Sequence, residues 1–312
     1  MAKAKTEKTE QTTEIAVVAK QLACITNEED NMRLNGALAG VSDIEEIPPG
    51  MAELMDGATG TEGVESGDAA IPFLRVLQAL SPAVDRNDSK YIDGAQAGHM
   101  INTATNETFN HDFEEGIIVV PVGFKKVFVE FRQRNDNGGG FVAQYDRAEG
   151  LKQLETCTKD EKNKPRLPNG NQLVESNQHF VLVVDEKNGG MFPAVVNMES
   201  SNLRVSKQWN ALIDSKRLNH GGRAVKPPSF FYFYKLTTVA AKNDQGSWHM
   251  WNVEDVGPNQ HLESLQNGRV ICDDVANNAV KVQSYDEAEG PTDAEYTQTP
   301  PNSAPMDDDG PF

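Results

Sequence analysis

The chain has 312 residues, 38% of them hydrophobic, and a formal net charge of −18. That is length for one large or two small folded units, joined to segments too acidic and too poor in apolar residues to pack. Cys24, Cys157 and Cys272 lie far apart in sequence, which argues against a disulfide framework or a zinc-ligand cluster and points to a reducing, cytosolic setting. No apolar run reaches membrane-spanning length, and no signal peptide is expected.

The acidity is concentrated at the ends. Residues 1–70 hold 5 Lys/Arg and 14 Asp/Glu, residues 286–312 hold none and 8, and residues 71–285 hold 24 and 25. Inside that middle, residues 121–242 carry 19 basic and 12 acidic side chains. Three parts are therefore expected: an acidic N-terminal segment (1–70), largely disordered or weakly helical; a folded domain (71–285); and a disordered acidic tail (286–312). A positive excess in the middle leaves room for a nucleic-acid site, from which the acidic ends are repelled or for which they compete.

In chain order, Ile15 to Cys24 and Asn27 to Gly40 read as short helices, the second with Glu28, Glu29 and Asp30 at its N-terminus. Asp43 to Ala70 reads as linker. Phe73, Val76, Leu77 and Leu80 fall at helical spacing between Pro72 and Pro82, so a short helix is expected there, with a strand as the alternative. Gly94 to Phe109 reads as a loop with a small hairpin. Gly116 to Arg134 is a long β stretch interrupted at Pro121 and Gly123. In its second half Val127, Val129 and Phe131 form an apolar face. Lys126, Phe128, Glu130, Arg132 and Arg134 form the other, which fits either a solvated strand or a phosphate-and-base surface.

Arg147 to Ser176 reads as a polar, partly basic surface excursion. His179 to Val184 and Met191 to Met198 make a hairpin about Lys187 to Gly190. Ser200 or Ser201 caps an amphipathic helix reaching about Leu218, with Val205, Trp209, Leu212 and Ile213 as its buried stripe and Arg204, Lys207, Lys216 and Arg217 on or beside its polar side. Asn219 to Gly222 ends it. His261 to Val282 reads as a short helix with strands.

Ser229 to Val253 is the strongest hairpin signal, with aromatic and β-branched arms around Asn243, Asp244 and Gly246. A four-residue loop from Asn243 to Gly246 sets Lys242 opposite Ser247, Ala241 opposite Trp248 and Thr238 opposite Trp251. One face then carries Tyr232, Tyr234, His249 and Trp251, and the other carries Phe231, Phe233, Trp248 and Met250. The second set is expected in the core. Each ring of the first set, taken singly, also reads as core. As a set with polar tips they are a candidate platform for stacking bases, at about 1–3 kcal/mol per base. A loop one residue longer exchanges the two faces. Strands in hairpins with one amphipathic helix give a mainly β fold, an OB-like antiparallel barrel or twisted sheet, flanked by the acidic tails.

Asp307, Asp308 and Asp309 followed by Pro311 and Phe312 resemble the acidic tip, ending in Pro-Phe, of bacterial and phage single-stranded DNA-binding proteins, with Gly310 where an apolar residue is more usual. In such a tip the ring enters an apolar pocket on a partner while the carboxylates steer the encounter. Ile71 to Pro82, Lys90 to Ala95 and Pro121 to Phe131 resemble a group of tailed-phage single-stranded DNA-binding replication proteins. The resemblance implies an OB-like core, binding without sequence preference, a place in phage DNA replication or recombination, and the cytoplasm of an infected bacterium. The candidate single-stranded DNA contacts are Lys126, Phe128, Arg132, Arg134, Tyr232, Tyr234, Lys235, His249 and Trp251. The candidate contacts to a polymerase, primase or helicase are Asp307, Asp308, Asp309, Pro311 and Phe312.

No phosphate-cradling Gly-x-x-x-x-Gly-Lys-Ser/Thr is present. Asp185, Glu186 and Lys187 sit in an expected turn and lack the Glu-x-Lys spacing of nuclease clusters. No enzyme activity, metal or cofactor is expected. The alternative reading is an acidic interaction or scaffold protein, a DNA mimic that binds protein and no nucleic acid.

Overall fold

The computed structural model describes residues 28–38, 63, 70–109, 116–132, 140–243 and 246–283. The expected helix at Ile15 to Cys24, Arg134 and the tip from Asp307 to Phe312 lie outside the described residues. Its elements are α1 (Glu28–Leu38), β1 (Ala70–Ile71), β2 (Phe73–Val76), β3 (Met100–Asn102), β4 (Thr108–Phe109), β5 (Ile117–Arg132), β6 (Gly140–Tyr145), α2 (Arg147–Thr156), β7 (Thr158–Lys159), β8 (Pro165–Arg166), β9 (Gln172–Val184), β10 (Met191–Glu199), α3 (Asn202–Ser215), β11 (Leu218–His220), β12 (Arg223–Val225), β13 (Tyr232–Asn243), β14 (Gly246–Pro258), α4 (Leu262–Ala276) and β15 (Lys281–Val282).

The fold is mixed α/β: a curled, open half-barrel with the strand path β14-β13-β5-β9-β10-β2-β3-β4, and four helices among the described residues. Of the two expected forms, OB-like barrel or twisted sheet, the open curled sheet is the one found, and four helices among the described residues replace the single amphipathic helix expected. The long strands β5 and β9 form its spine, antiparallel from Val119 opposite Val183 to Phe131 opposite Gln172. A register shift between Pro121 and Gly123 lets β5 run through the proline as one bent strand. On its other edge β5 pairs first with β13, Ile117 to Val119, and later with β6, Phe128 to Arg132.

The sheet is covered on both faces. One core packs Phe73, Ile118, Val129, Phe180, Leu182, Val195 and Phe233 under Leu34 and Ala37 of α1 and Leu265 and Val275 of α4. The other packs Leu74, Val119, Val181, Val196, Met198, Tyr234 and Trp251 under Val205 and Trp209 of α3. Each such side chain contributes about 1.5–3 kcal/mol of burial. Further corrections concern local elements. Residues 73–76 are a strand pairing parallel to β10, Phe73 opposite Val195, because the short apolar run finds a sheet edge to complete. The polar stretch after Arg147 opens with α2, whose N-cap Asp146 accepts from the Glu149 amide. The helix fits closely over β5: a Cβ on Gly150 would lie 2.2 Å from the Phe128 ring.

Candidate nucleic-acid interface

The hairpin register is the one read from sequence: Lys242 opposite Ser247, Ala241 opposite Trp248 and Thr238 opposite Trp251. The platform it was expected to present is covered. Tyr234 is 0% exposed and Trp251 2%, both beneath α3. Asn202 at the start of α3 accepts from the Trp251 amide at 3.0 Å. The Tyr234 hydroxyl has no hydrogen-bond partner among the described residues, and burial raises its pKa well above the usual phenol value. Phe128, on the other candidate face, is buried with Leu167 and Leu173.

The remaining candidates are scattered. Lys126 is paired with Glu175. Lys235 lies between Asp30 at 3.5 Å and Glu254 at 3.7 Å. His249 is half-buried, its backbone N–H donating to Gln78 and its C=O accepting from the same side chain, and burial lowers its pKa. Arg132 is exposed at the edge, opposite Gly140. Tyr232 is half-buried, with the Lys216 ammonium 4.6 Å from its ring centre, and Lys216 is paired with Asp255.

What the structure brings together instead is α3 and the chain that follows it. Between Asn202 and Lys226 there are six Lys/Arg and one acidic residue, Asp214. Arg204 and Lys207 lie on the outer side of α3, whose inner side holds Val205, Ser206 and Trp209. The Arg217 guanidinium donates to the carbonyls of Asp214 and Lys216 at the helix end, where cations are favoured. Residues 218–225 then form a two-stranded arm, His220 opposite Arg223, all exposed except the half-buried Leu218. Its tip is Gly221-Gly222, with φ of 58° and 78°, the pair of positive values that a two-residue turn between twisted strands requires. Lys226 at its root pairs with Asp214. Arg204, Lys207 and Arg223 form no ion pair with a described residue.

Sequence reading placed Arg204, Lys207, Lys216 and Arg217 on this helix but took Asn219 to Gly222 only as its end. The missed arm had a signal in the Gly-Gly pair, a two-residue hairpin loop in its own right. Among the described residues no group of three or more His, Cys, Asp or Glu is placed to hold a metal ion. His179, the most buried histidine among the described residues, is hydrogen-bonded to the Ser206 hydroxyl at 2.8 Å, and burial pushes its pKa down to about 3.

Residues 41–281 match the family described as Pam3 phage gp34-like protein. The chain belongs to the Pam3 phage gp34-like proteins. The gp34-like region takes in the whole main sheet, β1 and the first residue of β15, and with them α3 and the arm, whereas α1 precedes it. No curated protein and no solved structure matches the chain. Among the described residues of this gp34-like protein, no helix is long and apolar enough to cross a membrane.

Proposed function

We propose that this phage protein binds single-stranded DNA without sequence preference during phage DNA replication or recombination, in the cytoplasm of the infected host. The observation that carries the reading is the cationic stretch of α3 and the arm in a chain of net charge −18: Lys216 and Lys226 are paired with Asp255 and Asp214, while Arg204, Lys207 and Arg223 form no ion pair with a described residue. So local an excess has the sign and the extended shape that a phosphate backbone needs. The resemblance of Ile71 to Pro82, Lys90 to Ala95 and Pro121 to Phe131 to phage replication proteins supports a single strand over a duplex. On this reading the protein is a binding protein and not an enzyme, it needs no cofactor, and the acidic segment 286–312 recruits a polymerase, primase or helicase through Asp307 to Phe312.

The test is fluorescence anisotropy with labelled oligo-dT and with a duplex, at two salt concentrations. The wild type is expected to prefer oligo-dT. A variant carrying Arg204→Ala, Lys207→Ala and Arg223→Ala should bind more weakly, and its log–log salt slope should be shallower by about 0.7 for each phosphate contact removed, roughly 2 in all. Wild-type protein that binds neither DNA at low salt would overturn the reading in favour of the acidic scaffold or DNA mimic.

A further inference from the structure

We infer that Phe124 is a base-stacking position of this surface, an assignment that rests on the nucleic-acid reading above. Among the described residues, Phe124 lies where β5 has no strand neighbour on its outer edge, past the pairing with β13 that ends at Val119 and before the pairing with β6 that begins at Phe128. The residue is 42% exposed. The ring is also held. It meets His179, its cross-strand partner, edge-on at 5.0 Å. His179 stacks on Trp209 at 4.5 Å, and Trp209 meets Tyr234 at 5.8 Å. A column of buried rings thus fixes one edge of Phe124 and leaves part of its surface to solvent. An exposed phenylalanine forgoes burial, and a fixed ring loses little further freedom when a base stacks on it.

Both signs of charge stand around it, in pairs: Lys126 with Glu175, and Lys226 with Asp214. Lys126, two residues on, points to the same side of the sheet as Phe124. His179 bonds Ser206 of α3, so this flank of the helix is the one nearest Phe124. At 3.6 residues per turn Asn210 and Asp214 fall on that flank, with Lys207 further round toward the outer side, and Asp214 is joined to Lys226 at the root of the arm. A strand crossing the exposed ring of Phe124 would stack a base there, with the Lys126–Glu175 pair beside it on β5 and β9 and the outward-facing Lys207 of α3 within the same cationic segment. Sequence reading gave the ring of this strand to Phe128, which is buried, and passed over Phe124, whose neighbours Gly123 and Lys125 obscure the alternation.

Phe124→Leu keeps an apolar contact to His179 and removes the ring, and Phe124→Trp keeps a ring and adds a reporter. Thermal melting should be unchanged in both. The leucine variant should bind oligo-dT about tenfold more weakly, should bind an abasic oligonucleotide as the wild type does, and should keep the wild-type salt slope. The tryptophan variant should retain affinity, with emission from position 124 quenched on adding oligo-dT. If the wild type binds oligo-dT and the leucine variant binds it equally well, the stacking assignment falls and the function reading stands. If the wild type binds no DNA, the function reading falls and the assignment with it.

Discussion

Tyr234 shows how one side chain can satisfy packing and still carry a polar cost. Its ring is fully buried beneath Trp209, and its hydroxyl finds no partner among the described residues. An unpaired buried hydroxyl disfavours the folded state by about 1–3 kcal/mol. Tyr234→Phe is therefore expected to leave stability unchanged or raise it by about 1 kcal/mol, while Tyr234→Ala should cost about 3–5 kcal/mol. Urea denaturation of the two variants distinguishes them. A large loss in Tyr234→Phe would mean that the hydroxyl is bonded. Phe233, on the opposite side of the same strand, is equally buried, so Phe233→Ala should be as damaging as Tyr234→Ala. That equality is the mark of a sheet covered on both faces.

At the scale of elements, Glu130 ties β5 to β6 and to the turn after β8. Its carboxylate accepts from the Tyr145 hydroxyl at 2.5 Å, Asn169 at 2.8 Å and Asn171 at 2.5 Å. Burial raises the pKa of this group, but the three hydrogen bonds together outweigh it, and the net shift is downward from 4.5. A carboxylate with a depressed folded pKa contributes stability above its unfolded value and loses it as pH falls through the folded one. Acid melts of the wild type should therefore lose this contribution below about 4.5, the ordinary value. Glu130→Gln should be less stable at neutral pH, since its amide turns a donor toward three donors, and should show a flatter acid limb. An acid limb identical to that of the wild type would remove Glu130 from the account. The same carboxylate holds the Tyr145 phenol up at about 12, so the pair stays hydrogen-bonded through the neutral range.

The molecule as a whole is a curled sheet whose two ends are joined by side chains. Gln78, just past β2 and 2% exposed, grips the backbone of His249 in β14, accepting from its N–H at 2.9 Å and donating to its C=O at 3.0 Å. The Thr238 hydroxyl donates to the Gly98 carbonyl at 2.6 Å across the same gap. A primary amide carries donor N–H groups beside an acceptor oxygen and so reproduces a strand pairing where no strand is present. Gln78→Leu keeps the volume and removes both bonds. It should cost about 1–3 kcal/mol and raise amide exchange at His249 above that of residues in β9. Exchange at His249 that stays at the wild-type level would show that the ends are held by packing alone. On the other face α1 is clamped by ion pairs, Arg33 to Glu186 at 2.6 Å and Lys235 to Asp30 at 3.5 Å.

The sequence by itself determined the pairings that are local. A short loop fixes register, so Thr238 opposite Trp251 could be counted from the turn at Asn243 to Gly246. An amphipathic stripe fixes which side of a helix is buried, so Val205 and Trp209 were legible as the inner side of α3. The separation of charge, acidic ends around a basic middle, is composition alone. Tertiary structure decided what covers each face. Alternation divides Tyr234 and Trp251 from Phe233, but it carries no information about a helix arriving from residues 202–215, and α3 turned the expected wet face into core. The same holds for charges: Lys235 looked free to meet a phosphate, yet it is engaged by Asp30, an acid far back in the chain. It holds too for β2, where a short apolar run with helical spacing became a strand because β10 offered it a parallel partner. Phe124 is exposed because β13 leaves β5 before it and β6 joins β5 after it. A gap of that kind belongs to no single segment, since it is made by where two other strands end.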